Sequence, residues 1–530
     1  MNKFSVINSL VKSVFILLIG IFIGKNFFQT RPFLKIYNTP DKISDLLNYL
    51  ENNYVDSVNI DSIRESIINN ILSGLDPFSN YISTDEFVDI KESMEGDFEG
   101  IGIEFQILND TITVMNSITG GPSEKLGILP GDKIIKIDSI DVGNIEISNS
   151  KAVSLLKGPK DTYVSVKINR NSKIYEFNIK RDKIPLTSID FSYMIKSNVG
   201  IVKINRFSIK TYQEFSVCTK SLIDKGMKKL ILDLRNNPGG LLSSAIEIAD
   251  ELLSSDKIIL FTEGNSRERK VYNSSSNGNL HDIELHVLVN EYSASASEII
   301  AGAIQDNNRG IVIGRRTFGK GLVQEQVLMD DGAVVRLTTS RYFTPSGRCI
   351  QIPYNSENSE NSMDNILVRF NNGEFFSKDS IKIDTSKKFL TTDGKVVYGG
   401  GGIIPDVFIP IDNDNKYNNN GLLNIISFNL ISKFIYQKIN VNSKNINKYN
   451  SLDDFKYNYS ISDSLFDSFI NFCENDLNEE IKINNVEDRN LLKLNLKATI
   501  ARKKFKNEGY YAILNIRDDA INESLKLFEQ

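Results

Sequence analysis

Between Val199 and Gly314, four short apolar runs (Val199–Ile204, Lys229–Leu234, Leu285–Val289 and Ile311–Gly314) alternate with stretches of helical spacing at Thr211–Lys225, Leu241–Leu253 and Ala294–Gln305. This alternation limits the fold more than any other feature of the chain. A strand buried on both faces reads as a continuous apolar run, and a helix between two such strands lets the chain return as a parallel partner. The segment therefore predicts an α/β layer.

The rest of the chain is too long to share that core. With 530 residues, 41% hydrophobic and 24% charged, it should divide into about three or four units. A net charge of -5, without a basic block, gives no electrostatic footprint for nucleic acid. Cys218, Cys349 and Cys473 are few, odd in number and widely spaced, so they read as buried thiols, not as disulfides or a metal-ligand cluster.

At the N-terminus, Lys3 and Lys12 precede the uncharged run Val14–Gly24, and Lys25 follows it. The run is shorter than the roughly 20 residues of a full membrane span, although Phe4 to Phe28 reaches that length if Lys12 and Lys25 snorkel. No small-x-small cleavage site follows convincingly. Residues 1–30 therefore read as an uncleaved signal anchor, with the bulk of the chain outside the cytoplasm, in the periplasm of a bacterial cell envelope.

Residues 31–95 read as helical. Ile43, Leu46, Leu47 and Leu50 have helix spacing, Ile60–Leu75 repeats it behind Asp61 as N-cap, and Leu75-Asp76-Pro77-Phe78-Ser79 closes it with a turn. A helical collar or dimerisation element without chemistry is the expectation there. Residues 96–183 are short strands separated by glycine turns, and 184–412 hold the α/β layer. Within the latter, the Asn/Ser-rich stretch Tyr354–Lys388 reads as a surface loop. Residues 413–530 begin with a polar linker, Asp412–Asn420, and continue in apolar helical patterns. Those patterns leave three roles open: clamping a homo-oligomer, contacting an adaptor, or shielding an active site.

The chemistry concentrates in two short segments, Asn290–Glu298 and Thr317–Gly321. Only two histidines, His281 and His286, are present, so a Ser-His-Asp triad has few candidates and lysine becomes the candidate base. Ser293, Ser295 and Ser297 cannot all face one partner on a helix, because a two-residue step turns about 200°. Ser295 and Glu298 have capping-box spacing, yet a serine at a strand-to-helix junction also lies where N–H groups and the helix end stabilise a developing oxyanion. Lys320 is either a solvated charge or a base. A base would need its pKa lowered from ~10.4 towards ~7, roughly 4 kcal/mol of desolvation, and Phe318, Gly319, Gly321 and Leu322 allow close packing. These residues alone leave both pairs of readings open.

Two resemblances narrow them. Residues Phe98–Asp182, with the turn Leu129-Pro130-Gly131-Asp132-Lys133-Ile134 and the later Leu156-Lys157-Gly158-Pro159, resemble a PDZ domain. That resemblance implies that Gly100, Ile101, Gly102 and Ile103 offer N–H groups to a peptide carboxylate while the strand edge adds the peptide as a further strand. The runs DLRNNPGG (Asp233–Gly240), VNEYSASASEIIAGAIQD (Val289–Asp306), TFGKG with Gln324, LTTSRYFTPSGRCIQ (Leu337–Gln351) and VYGGGGIIPDV (Val397–Val407) resemble the carboxyl-terminal processing peptidases, S41 serine proteases.

The second resemblance implies a multidomain α+β chain with a crotonase-like α/β protease core. It assigns Ser295 as nucleophile, Lys320 as base, Gln324 as the group orienting the lysine and Asp306 to a charge relay. It also places the oxyanion at the N–H groups of Gly239, Gly240 and Ala296, requires no metal or cofactor, and implies protein or peptide substrates with free, non-polar or unstructured C-terminal tails. Two other classes remain as alternatives: an exported PDZ scaffold without proteolysis, and an acyl-CoA enzyme of similar fold.

Overall fold

The computed structural model describes residues 41–275, 278–354, 362–411, 424–425, 429–439, 443–483 and 485–530. The Val14–Gly24 run and the Asp412–Asn420 linker lie outside them, and among the described residues no helix is long and apolar enough to cross a membrane. The chain divides into two compact units, one ending at Asn70 and one running from Ile71 to Gln530. In the first, Asp41 opens the helix Lys42–Asn53 by accepting from the N–H groups of Ile43 and Ser44 at 3.2 and 3.3 Å. The cap bond of the helix Ile60–Ser73 comes from Asn59, which accepts from Ser62 N–H at 3.1 Å, and not from the expected Asp61. A cap side chain reaches the N–H two or three positions on, which puts Asn59 in place and Asp61 inside the helix.

The second unit is built on a six-stranded sheet in the order Ile189–Lys196, Val199–Ile204, Lys229–Asp233, Glu284–Val289, Ile311–Gly314, Val407–Phe408. The first pair is antiparallel and the others are parallel, which is the expected α/β layer. Alternate residues serve opposite faces. Leu230 and Leu232 join Phe215, Ile248 and Ile300 of the helices Thr211–Asp224, Leu242–Leu252 and Ala296–Asp306, while Ile231 points to the other side. That other side is covered by the end of the chain: Ala512, Ala520, Ile521 and Phe528 pack against Ile201, Ile231, Leu288 and Ile313.

The C-terminal helices therefore complete the core sheet. Arg235 donates twice to Asp518, at 3.0 and 2.8 Å, and the Phe528 ring stacks on His286 at 3.7 Å between centroids. The same helical region also touches a second sheet, where Tyr436 packs with Leu108 and Met115 and Arg502 pairs with Glu104 at 3.4 Å. This second, antiparallel sheet runs Ile103–Ile107, Ile112–Ser117, Lys133–Ile137, Tyr163–Arg170, Lys173–Lys180. A third sheet joins Asn80–Ile82, Val334–Phe343, Ile258–Gly264 and Arg267–Asn273, with Leu322–Leu328 on the free side of Val334–Phe343.

The stretch Tyr354–Lys388 is more than a surface loop. It contains the helix Ser362–Asn371, whose Arg369 is buried together with Glu374, just past the helix, and with Arg316. Three charges can share that position because each is paired, whereas a lone one would not remain ionised there.

The tail leaves a measurable signature in acid. Burial pushes the His286 imidazole down from 6.5 to about 4. As pH falls below about 6.5 the unfolded chain gains this proton first, so the contribution is complete above that pH and is lost on the way down to about 4. Thermal unfolding at pH 7.5 and 5.0 should show about 2 kcal/mol of acid destabilisation that His286→Phe removes. Equal acid sensitivity of the two proteins would assign the loss elsewhere.

Candidate active site

The strand Glu284–Val289 delivers the serine turn, and the three serines separate by burial. Ser293 and Ser297 are fully buried and donate to backbone carbonyls, Leu234 O at 2.9 Å and Asn237 O at 3.0 Å. Ser295 is the accessible one. Its backbone sits at φ 52°, ψ -112°, a conformation that residues with a side chain adopt at a cost of order 1–3 kcal/mol. The surroundings enforce it: Ser295 N–H donates to Glu298 Oε2 at 2.9 Å, and its carbonyl accepts from Glu298 N–H at 2.9 Å and Ile299 N–H at 3.0 Å.

The glycine turn lies directly against this serine. A Cβ on Gly239 would stand 2.8 Å from Ser295 Cβ and 2.7 Å from Ala294 O, so no larger residue fits. Asn237 ties the two turns together: its carbonyl accepts from Ala294 N–H at 3.0 Å and its Oδ1 from Gly239 N–H at 2.8 Å. This last bond corrects one expectation, because Gly239 N–H is already committed and is not a free oxyanion donor. Gly240 differs. Its bridge to Phe207 uses the N–H groups of Phe207 and Leu241 and leaves its own N–H aside. Ala296 opens its helix, where an N–H has no intrahelical acceptor.

One carboxylate joins the serine turn to the lysine segment. Glu298 is fully buried, and its Oε2 accepts from the N–H groups of both Ser295 and Lys320 at 2.9 Å. Its Oε1 accepts from Thr317 Oγ1 at 2.6 Å and Gly319 N–H at 2.7 Å. Burial pushes this carboxyl above its usual range, opposed by the four donors. Behind the segment, Arg369 donates to the carbonyls of Thr317 at 3.0 Å and Arg316 at 2.7 Å.

Lys320 is partly buried on the same clamp. Burial, aided by Arg336, lowers its amine to about 8, against Asp76 and Glu298, which pull the other way. Nζ donates to Gln324 Oε1 at 2.9 Å. No hydrogen bond between Nζ and Ser295 Oγ is made among the described residues; the two are tied through Glu298 instead. Asp306 does not join them. It ends an 11-residue helix that Ser295 begins, roughly 16 Å away, where it is fully buried and pairs with Arg348 at 2.7 Å. Its charge is paired with that arginine, at the far end of the helix that Ser295 caps.

A second feature lies on the antiparallel sheet. Among the described residues Ile103–Ile107 pairs only with Ile112–Ser117, leaving its other edge free, and a cavity of about 330 Å³ runs between it and the helix Asn149–Leu156. Ile101, Gly102 and Ile103 line this groove with Phe105, Val153 and Leu156. Gly100 does not line it; it ends the strand Asp97–Gly100, opposite Asp182. Beside the groove Lys157 pairs with Asp89 at 2.8 Å and Glu92 at 2.5 Å.

A mostly parallel core sheet, with a strained accessible serine and a partly buried lysine held by one carboxylate and a grooved antiparallel sheet ahead of them in the chain, suits the class of serine peptidases carrying a PDZ domain. Residues 198–354 match peptidase family S41, 100–180 match the PDZ domain, and 422–506 match a family of unknown function, DUF8443. A probable CtpA-like serine protease of Staphylococcus aureus (strain N315) is 34% identical over 312 residues, covering 58% of this chain and 62% of that protein. A carboxy-terminal-processing protease of Bartonella bacilliformis is 34% identical over 322 residues, covering 59% and 73%. The solved photosystem II D1 C-terminal processing protease is 23% identical, with 69% of this chain and 92% of that one covered at a TM-score of 0.36. The chain belongs to the carboxy-terminal-processing protease family. It spans 62% of the length of the staphylococcal relative.

Sequence reasoning read Glu298 only as a possible cap. The S-x-x-E spacing signals its bond to Ser295 N–H, but its three bonds to Thr317, Gly319 and Lys320 depend on tertiary contact. Glu298→Gln keeps the shape and replaces one acceptor by an amide N–H facing two donors. It should lower stability by about 2–4 kcal/mol and cut activity more than a hundredfold. Calorimetry beside peptide cleavage checks this; near-normal values for both would remove the clamp from the argument.

Proposed function

We propose that this chain is an exported serine endopeptidase that cuts proteins at or near their C-terminal tails through Ser295 and Lys320. The observation that carries the reading is Glu298 Oε2, one buried oxygen that holds the backbone of the nucleophile and of the base together. Lys320 takes the Ser295 Oγ proton as the oxygen bonds to the scissile carbonyl carbon. Collapse of the adduct breaks the C–N bond, and the ammonium returns its proton to the leaving amine. Water then adds to the acyl ester carbon as Lys320 takes its proton; collapse of this second adduct breaks the C–O bond to Ser295, whose oxygen receives the proton from the ammonium, and the acid leaves. The Nζ–Oγ bond forms as substrate binds, in keeping with the tightening of catalytic hydrogen bonds in enzyme–substrate complexes. The oxyanion is received by the N–H groups of Ala296 and Gly240.

Other features support the wider reading. A parallel sheet with the nucleophile at a strand-to-helix turn suits a crotonase-like core. The free edge of Ile103–Ile107 and the apolar groove beside it suit capture of a substrate tail as an added strand. The run Val14–Gly24 with its flanking lysines suits a membrane anchor that leaves the catalytic part in the periplasm.

Ser295→Ala and Lys320→Ala should each reduce cleavage of an unfolded substrate by about a thousandfold or more without lowering Tm. Substantial activity in either would overturn the dyad. With Lys320 as base, kcat/KM rises with pH through about 8, where its neutral form takes over. Amidating the substrate's C-terminus should weaken its capture; equal cleavage of free and amidated peptides would dispose of carboxylate recognition. For the anchor, the full chain should sediment with membranes and a chain lacking residues 1–30 should not.

A further inference from the structure

The turn Asp76–Ser79, expected to carry no chemistry, enters the active site from a point 246 positions before Gln324. Asp76 holds the turn rigid: Oδ1 accepts from Phe78 and Ser79 N–H, both at 2.8 Å, and Oδ2 accepts from Ser79 Oγ at 2.6 Å. Two further contacts fix the turn on the protease sheet. Ser79 Oγ accepts from Thr338 N–H at 3.1 Å, and Asn80–Ile82 pairs with Val334–Arg336. The strand Val334–Phe343 also carries Leu322–Leu328 on its other edge, and with it Gln324.

Phe78 meets the base twice. Its carbonyl accepts from Gln324 Nε2 at 2.6 Å, and its ring lies 4.6 Å from Lys320 Nζ. A carbonyl can only accept, so the amide nitrogen of Gln324 must face Phe78 and the amide oxygen must face Lys320. The orientation of the Lys320 partner is therefore set from the N-terminal turn. The ring occupies space beside Nζ that water would otherwise take, and since water solvates an ammonium better than an aromatic face does, its net effect is to favour the neutral amine. The charged groups around Nζ are Arg336 from the paired strand, Asp76 from the turn and Glu298 from the nucleophile's helix.

We propose that Phe78 is a positioning residue for Lys320: its carbonyl fixes the Gln324 amide and its ring keeps water from Nζ, so that the base stays able to accept the Ser295 proton. The proposal rests on the Ser295–Lys320 reading above. Phe78→Ala retains the carbonyl and removes the ring. Water then reaches Nζ, the ammonium gains, and the acid limb of kcat/KM moves to higher pH.

The experiment is the pH profile of kcat/KM from pH 6 to 10 for wild type, Phe78→Tyr and Phe78→Ala. About a tenfold loss at pH 7 that narrows to about twofold at pH 10 is expected for alanine, a shift of about one unit, with tyrosine close to wild type. A loss of equal size at every pH, or no loss, overturns the proposal. The pH dependence of Lys320 acetylation, read by mass spectrometry, gives the same shift without relying on turnover. Phe78→Val serves if the alanine variant does not fold. An active wild type whose acetylation midpoint ignores Phe78 overturns this proposal and leaves the dyad standing. A wild type that cleaves nothing overturns the dyad, while the acetylation midpoint still reports on Phe78.

Discussion

The buried carboxylate of Glu298 is the constraint on which the rest of the site depends. Removing a carboxylate from water costs several kcal/mol, and each hydrogen bond to a charged group returns about 1.5–3 kcal/mol. With four donors the two sides are comparable, so Glu298 contributes little to net stability. Its effect is on geometry: a nucleophile turn at φ 52° and a lysine segment from a different part of the chain are held by the same two oxygens. Neither turn would keep its conformation alone, since one is strained and the other is flanked by glycines.

The remaining layers serve that clamp. Asn237 presses the glycine turn onto Ser295, and Arg369 braces the lysine segment from a helix inside what looked like a disposable loop. On the opposite face of the sheet the C-terminal helices replace water over Ile231, Leu288 and Ile313, strands that would otherwise be half exposed. Arg235 links the two faces, following Asp233 at the end of its strand and pairing with Asp518 of the tail. The glycine turn Asn236–Gly240 thus begins beside a residue that the tail holds.

Much of this was legible in the sequence because it is local. Apolar runs of strand length and helices of the right spacing mark the core sheet, and the order of short motifs marks Ser295, Lys320 and Gln324. What could not be read is tertiary. Without the family resemblance, spacing alone does not separate Ser295 from Ser293 and Ser297; the structure separates them physically, because Leu234 and Asn237 occupy the other two hydroxyls. Asp306 carries the same charge whether it faces a lysine or an arginine, and only packing shows that Arg348 claims it. The Asp-Pro-Phe-Ser turn looks like any helix-terminating turn, because its carbonyl and its ring acquire meaning from partners more than two hundred residues away.

The basicity of Lys320 is accordingly not a property of its own motif. The segment Thr317–Gly321 supplies an amine on a flexible stem, and four other parts of the chain determine its charge: the Phe78 turn, the Arg336 strand, the Glu298 helix and Gln324. Burial, to which the Phe78 ring contributes, and Arg336 favour the neutral amine that accepts a proton, while Asp76 and Glu298 favour the ammonium that returns it. In the proposed reaction Lys320 does both in one cycle, and its amine, near 8, lies between these influences. Because the opposing groups come from separate elements, the balance exists only in the assembled fold. An unfolded or partly folded chain would carry an ordinary charged lysine beside an ordinary serine, and would be inert until every element was in place.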